Sequence, residues 1–125
     1  MQVTDSAVSL NVTDPEGSAD FMRAHFGFDT AMSADGFVSL HRPDVGFHLI
    51  YLRTGLPTFK PAAIAGRHAD GLLLALVVSD IDAEYERLKR EGVAITTPIE
   101  TEEWGERYFQ VSDPNGVVVQ LVQWV

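Results

Sequence analysis

Apolar and polar residues alternate with a period of two over several short stretches and with a helical period over two others. These patterns follow one another twice in the same order. From Ala7 to Val12, the residues Val8, Leu10 and Val12 alternate with Ala7, Ser9 and Asn11. That period predicts a strand with one buried face and one different face. Thr13 or Asp14 can cap a helix there, and Pro15 suits its first turn, where an N–H has no helical partner anyway. The helix is expected to run to about His25, with Phe21, Met22 and Phe26 on its inner face and Gly27 as its stop. Three strands follow, at about Asp29–Ser33, Phe37–His41 and Gly46–Leu52. Ala34-Asp35-Gly36 and Arg42-Pro43-Asp44 supply the turns between them. Thr54 to Asp70 carries Gly55, Pro57, Pro61 and Gly66 and reads as a long connection, either a linker or a binding loop.

The second half repeats this order. Val12-Thr13-Asp14 is answered 66 positions later by Val78-Ser79-Asp80, each at the junction of a strand and a helix. Leu72–Val78 is the strand, and Ser79 or Asp80 caps a helix reaching about Glu91. Asp82, three residues after Ser79, completes a partial capping box. Ile81, Tyr85 and Leu88 mark the packed side, and Gly92 marks the stop. Strands are expected at Val93–Thr97, Tyr108–Ser112 and Val117–Trp124, the last two joined by the turn Asp113-Pro114-Asn115-Gly116. The prediction is an α+β domain over residues 1–125 made of two tandem βαβββ modules, about 3–58 and 68–125.

Composition narrows the class of partner. The 125 residues are 46% hydrophobic and 22% charged, as in an ordinary globular protein. With no cysteine there is no disulfide, thiol nucleophile or thiolate zinc site. Nine basic against eighteen acidic residues give a net charge of −9, which argues against a nucleic-acid backbone as partner. The apolar run Leu72–Val78 is far short of the roughly 20 residues of a membrane helix, and Met1–Ser6 lacks a signal-peptide pattern. The expected setting is the cytoplasm, with no membrane partner.

Trp104-Gly105-Glu106-Arg107-Tyr108-Phe109, Asp113-Pro114-Asn115-Gly116 and Gln120-Leu121-Val122, in register with the doubled order, resemble the vicinal oxygen chelate superfamily. That superfamily groups glyoxalase I, extradiol dioxygenases, fosfomycin-resistance enzymes and bleomycin-resistance-type binding proteins. Asn11-Val12-Thr13-Asp14 and His25-Phe26-Gly27-Phe28 support the resemblance, which covers almost the whole chain. It implies a mixed sheet curled into a cup, and a homodimer that can complete the cavity. It also implies a divalent metal in catalytic members, held by His, Glu or Gln on the first and last strands of each module. Those positions fall here on Ala7, His48, Leu73 or Leu72, and Gln120. Two of the four cannot coordinate, and two neutral ligands without a carboxylate are too few for a catalytic site. No metal or other cofactor is therefore expected.

Strand parity assigns the cup lining. Ser9, Asn11, Phe37, Ser39, His48, Ile50, Leu73, Tyr108, Gln110 and Gln120 face it, with Phe59 from the long connection and Trp104 from an acidic loop as further ligand contacts. An apolar surface with a few amide, hydroxyl and imidazole groups is the composition of a small-molecule site, or of the filling between two sheets. His48 is a ligand contact or a hydrogen-bonded strand histidine. His25 suits a helix C-terminus, and His41 and His68 lie near turns and are expected to be solvated. Trp104 can stack on a planar or cationic group, or plug the cup or a dimer seam. Trp124 is expected at a subunit edge.

The expected function is non-catalytic sequestration of an antibiotic or related natural product, aromatic or cationic, which protects the cell by lowering free drug. Two alternatives stay open. One is a metal-dependent lyase, isomerase or dioxygenase with displaced ligands. The other is a metal-free enzyme with His48 as general base. No Gly-rich phosphate loop, nucleophile elbow or His-Glu-x-x-His pattern is present.

Overall fold

A computed structural model describes residues 1–125. The elements run β1 (Ala7–Val12), α1 (Pro15–Phe26), β2 (Asp29–Ala34), β3 (Phe37–His41) and β4 (His48–Arg53). After a short 3-10 turn (Ala62–Ile64) come β5 (Leu73–Val77), α2 (Ile81–Arg90), β6 (Ile95–Thr101), β7 (Glu106–Ser112) and β8 (Val118–Trp124). The chain divides into two compact units, 1–70 and 71–125. Each holds one four-stranded mixed sheet, ordered β1-β4-β3-β2 in the first and β5-β8-β7-β6 in the second. In each sheet the first strand pairs in parallel with the last, and the remaining pairs are antiparallel. Two βαβββ modules are therefore present, in an α+β fold.

The period of two decides which face each helix covers. In the first unit Leu10, Val12, Val38, Leu40, Leu49 and Tyr51 are buried, and α1 packs on β3 and β4 through Met22 and Phe26. Phe21, expected on the same face, is only half-buried and packs its ring against His25 and Phe26. In the second unit Leu74, Phe109, Val111, Val119 and Leu121 are buried, and α2 packs on β7 and β8 through Ile81 and Leu88. Tyr85 meets Phe109 edge-to-face, with ring centroids 4.9 Å apart.

The helix ends are individually satisfied. Gly27 takes a left-handed conformation (φ 68°) and its N–H reaches the Met22 carbonyl. The Arg42 guanidinium donates to the Phe26 carbonyl at 2.5 Å, placing a cation at the negative end of α1. At the start of α2 the Asp80 carboxylate accepts from Ala83 N–H (3.1 Å) and the Gln123 side-chain Oε1 accepts from Ile81 N–H (2.9 Å). The cap is thus Asp80, and Asp82 serves a different purpose from a capping box. It binds the Arg107 guanidinium at 2.7 and 3.2 Å and ties α2 to β7. That contact holds the Asp82 carboxyl below its ordinary pKa, by hydrogen bonding first. Asp14 precedes α1 without a side-chain cap bond to the helix.

Three expectations need correction. β6 was expected at Val93–Thr97 but runs from Ile95 to Thr101. Pro98 lies within it, and β6 is an edge strand, where a missing N–H need not break a ladder bond. The strand continues past it, with register shifts on either side of Thr97. β4 begins at His48 rather than Gly46. His41 is half-buried beside His48, with ring centroids 6.0 Å apart, instead of solvated.

The Asp113-Pro114-Asn115-Gly116 turn owes its geometry to one carboxylate. Asp113 is only 5% exposed, and its Oδ1 accepts from the N–H groups of Asn115 (2.8 Å) and Val117 (2.9 Å). Truncation would leave both donors without that acceptor. Asp113→Ala should cost about 2–4 kcal/mol in urea unfolding, and Asp113→Asn should recover part of the loss by keeping an oxygen acceptor. An alanine variant as stable as wild type would show that the turn holds itself.

Candidate functional site

The faces turned away from the two helices carry nearly all the predicted site residues, arranged in cross-strand rows. In the first unit Ser9 lies opposite Ile50, Ile50 opposite Ser39, and Ser39 opposite Met32. The next row joins Asn11, Leu52, Phe37 and Ala34. Ala7 lies opposite His48 at the other end. In the second unit Ala75, Gln120, Gln110 and Thr97 form one row, and Val77, Val122, Tyr108 and Glu100 the next. Leu73 lies opposite Val118. Residues i and i+2 of a strand share a face and directly paired residues are neighbours, so parity alone gathers these side chains. Ser39 and Val122 are buried on these faces, while Leu73 (51%) and Val77 (65%) stand exposed.

Several of these side chains have partners that define what they can do. His48 Nε2 is 3.1 Å from Asp5 Oδ2. The Asn11 amide donates to the Ile64 carbonyl at 3.3 Å, and its own backbone carbonyl accepts from Ala69 N–H at 2.7 Å. Asn11 thus anchors the long connection to β1 as well as facing outward. Phe59 lies half-buried within that connection, outside the strand rows. The Thr97 hydroxyl donates to Gln110 Oε1 at 2.7 Å, and Gln110 Nε2 donates to Gln120 Oε1 at 2.7 Å. Parity signalled Gln110 and Gln120 from the sequence. It missed Thr97, because the strand carrying it was expected to end there.

Trp104 sits in the turn between β6 and β7, closed by Gly105 N–H to the Glu102 carbonyl (3.0 Å) and Glu102 N–H to the Glu106 carbonyl (2.8 Å). Gly105 has φ 88°, and a Cβ there would come within 2.7 Å of the Val125 carbonyl oxygen, so only glycine fits. Trp104 is 68% exposed, and its Nε1–H donates to Glu106 at 3.3 Å. Trp124, also exposed, lies opposite Glu106 on the neighbouring strand. The Tyr108 hydroxyl faces Glu100 Oε1 (2.6 Å) and Glu102 Oε1 (2.8 Å). Hydrogen bonding to the two carboxylates, Glu100 first, pushes its pKa above the ordinary tyrosine range, with their charges adding to the effect.

No cluster of three or more His, Asp or Glu side chains that could hold a metal ion is present. Of the family's metal positions, His48 is engaged by Asp5 and Gln120 Oε1 by Gln110, while Ala7 and Leu73 lack donor atoms. The donor set does not fit a catalytic metal. A cleft of about 290 Å³ in the first unit is lined by Thr13–Glu16, the β2–β3 turn and Arg53. Its Arg53 is held by Asp35 at 3.1 and 3.3 Å, and Phe37 is the one predicted site residue that borders it. No helix is long and apolar enough to cross a membrane.

The family model for the glyoxalase/bleomycin resistance protein/dioxygenase superfamily matches residues 5–121, and the chain belongs to that superfamily. A solved structure of TnmS3, an antibiotic binding protein from Streptomyces, is 26% identical, with a TM-score of 0.75 over 99% of this chain and 98% of that one. TioX from Micromonospora is 26% identical with a TM-score of 0.77, covering 98% of this chain and all of TioX. A glyoxalase/bleomycin resistance protein/dioxygenase from Nocardioides shares the fold, with a TM-score of 0.82 at 22% identity over 100% of this chain and 85% of that one. An uncharacterised protein of Mycobacterium bovis is 29% identical over 86 residues, 69% of this chain and 51% of the relative. The chain thus spans about half the length of the curated relatives it matches.

The carboxylate pair around Tyr108 sets a spectroscopic expectation. Phenolate absorbance during an alkaline titration should show Tyr108 ionising later than an ordinary tyrosine, because its charged form would face two carboxylates. Replacing Glu100 and Glu102 together by Gln should bring its midpoint back toward the ordinary range, with Tyr108→Phe identifying the signal. An unchanged midpoint in the double variant would show that the carboxylates do not set it.

Proposed function

We propose that the protein is a non-catalytic binder that sequesters an antibiotic or related natural product on the open faces of its sheets and protects the cell by lowering free drug. The observation that carries this reading is the make-up of those faces. A few hydrogen-bonding groups (Ser9, Asn11, His48, Gln110 and Gln120) stand among Phe37, Ile50, Leu73 and Val77. Such surfaces hold a largely apolar molecule and fix its orientation with a few polar contacts. The likeness to the antibiotic binding protein TnmS3 supports it, as does a donor set unsuited to a metal. Preorganised strands keep the ordering cost of binding low. Phe59 and Trp104 serve as aromatic contacts, and a second copy of the chain completes the binding unit.

Native mass spectrometry of the metal-stripped protein against a panel of natural products tests this reading. The expected result is a dimer carrying stoichiometric ligand of unchanged mass. Turnover of the ligand by the stripped protein would overturn it. The acidic turn around Trp104 further favours a ligand bearing positive charge. Changing Glu102, Glu103 and Glu106 to Gln should weaken a cationic ligand several-fold at low salt and by less at high salt.

One observation favours a metal-free enzyme instead. The Asp5–His48 contact resembles a carboxylate orienting a general base. On that reading His48→Ala abolishes turnover of a reactive ligand, whereas on the binding reading it changes affinity alone.

A further inference from the structure

The row Ala75–Gln120–Gln110–Thr97 crosses all four strands of the second sheet, and its hydrogen bonds run in one direction. The Thr97 hydroxyl supplies the first proton to Gln110 Oε1, and Gln110 passes a donor to Gln120 Oε1. Each amide's acceptor is thereby used inside the row. What is left at the end is the Gln120 Nε2 group, which makes no hydrogen bond within the chain. Its neighbour across the parallel pairing is Ala75, the smallest side chain on β5, flanked two residues away on either side by Leu73 and Val77. All three β5 side chains are exposed. The result is a shallow apolar shelf, floored by Ala75 and rimmed by Leu73 and Val77, with one amide N–H2 along its inner side.

We propose that this row selects the ligand by polarity: the Thr97–Gln110–Gln120 chain presents a hydrogen-bond donor to the β5 shelf, so the shelf takes a flat apolar molecule through an acceptor oxygen such as a ketone or quinone carbonyl. This rests on the binding reading above and deepens it. A glutamine side chain can offer either oxygen or nitrogen to a ligand, and both are available when it is free. Here Oε1 already accepts from Gln110 Nε2, whereas Gln120 Nε2 has no partner in the row, so a carbonyl meets an unused donor without disturbing the row. Thr97 is a positioning residue: its hydroxyl donates to Gln110 Oε1 and so favours the orientation in which Gln110 Nε2 faces Gln120. A desolvated donor left unpaired is costly, so an isostere lacking the oxygen is disfavoured.

Two naphthalenes of the same shape test the proposal on the intact protein. 2-Acetylnaphthalene carries a ketone where 2-isopropenylnaphthalene carries a C=CH2 group. The wild type should bind the ketone about five- to tenfold more tightly, the range one hydrogen bond allows. The Gln120 side-chain amide signals in a proton–nitrogen correlation spectrum should move with the ketone and stay with the alkene. Gln120→Glu keeps the shape and the acceptor for Gln110 but removes the donor, and should erase the preference for the ketone over the alkene. Thr97→Val, which frees Gln110 to turn over, should reduce the preference several-fold. Equal binding of the two probes by the wild type, or unmoved Gln120 signals, would overturn the selection role alone and leave the binding reading standing. If neither probe binds, the shelf is not a ligand surface. If neither binds and the protein is a dimer with Leu73 and Val77 protected, a second copy occupies it. Both of these results overturn the proposal.

Discussion

Each module owns four strands and one helix, and a helix can cover only one face of a sheet. This inequality governs the molecule. The covered faces take the large apolar residues, with Leu10, Val12, Leu40, Leu49, Phe109, Val119 and Leu121 almost wholly removed from water. Burial of this kind is what stabilises a domain with no disulfide. The period of two then leaves the intervening residues no choice but the opposite face. That face is free of the demand to be apolar, and its side chains can be chosen for contact with something other than the chain's own core. On the proposed reading, function rests on the half of each strand that the helix does not use.

Legibility in the sequence tracks this constraint closely. Where one face is buried, a shift of one residue would expose the whole apolar set, so the pattern is strict and readable. β1 and β3 begin and end where their alternation does, and the alternation alone places Ser9, Asn11, Phe37, Ser39, His48 and Ile50 on the uncovered face. β2 and β6 are sheet edges with little burial, and there the pattern fades. β2 is exposed at all six positions, and β6 carries Pro98 in its middle. The register shifts of β6 bring Thr97 beside Gln110, and its prolongation brings Glu100 beside Tyr108. Local sequence could not announce those contacts, since they depend on register shifts across an edge pair.

The same limit applies to the acidic residues. Their number is plain from composition, and their clustering between Glu100 and Glu106 is plain from order. Their partners are not. Glu100 and Glu102 converge on one phenol, Glu106 takes the Trp104 indole N–H, and Asp82 is spent on holding α2 to β7. A carboxylate that fixes a neighbour's geometry is a different object from a solvated charge, although both count equally in a net charge of −9. The long-range field of the surface depends on the sum, whereas the orientation of Tyr108 and Trp104 depends on the pairing.

The same pairing bears on the four metal positions that the resemblance implies. With Ala at position 7 and Leu at position 73, two of them lack donor atoms. The other two each have a neighbour, Asp5 for His48 and Gln110 for Gln120. A free imidazole or amide on an exposed sheet face samples several rotamers, and ordering it costs free energy at the moment of binding. A tethered one has met that cost during folding. On the binding reading, tethered contacts of this kind give a site that gains affinity from preorganised, weaker contacts rather than from a strong central charge. Such a site has no group that polarises the bound molecule strongly, and its selectivity must come from matching donors to acceptors one at a time.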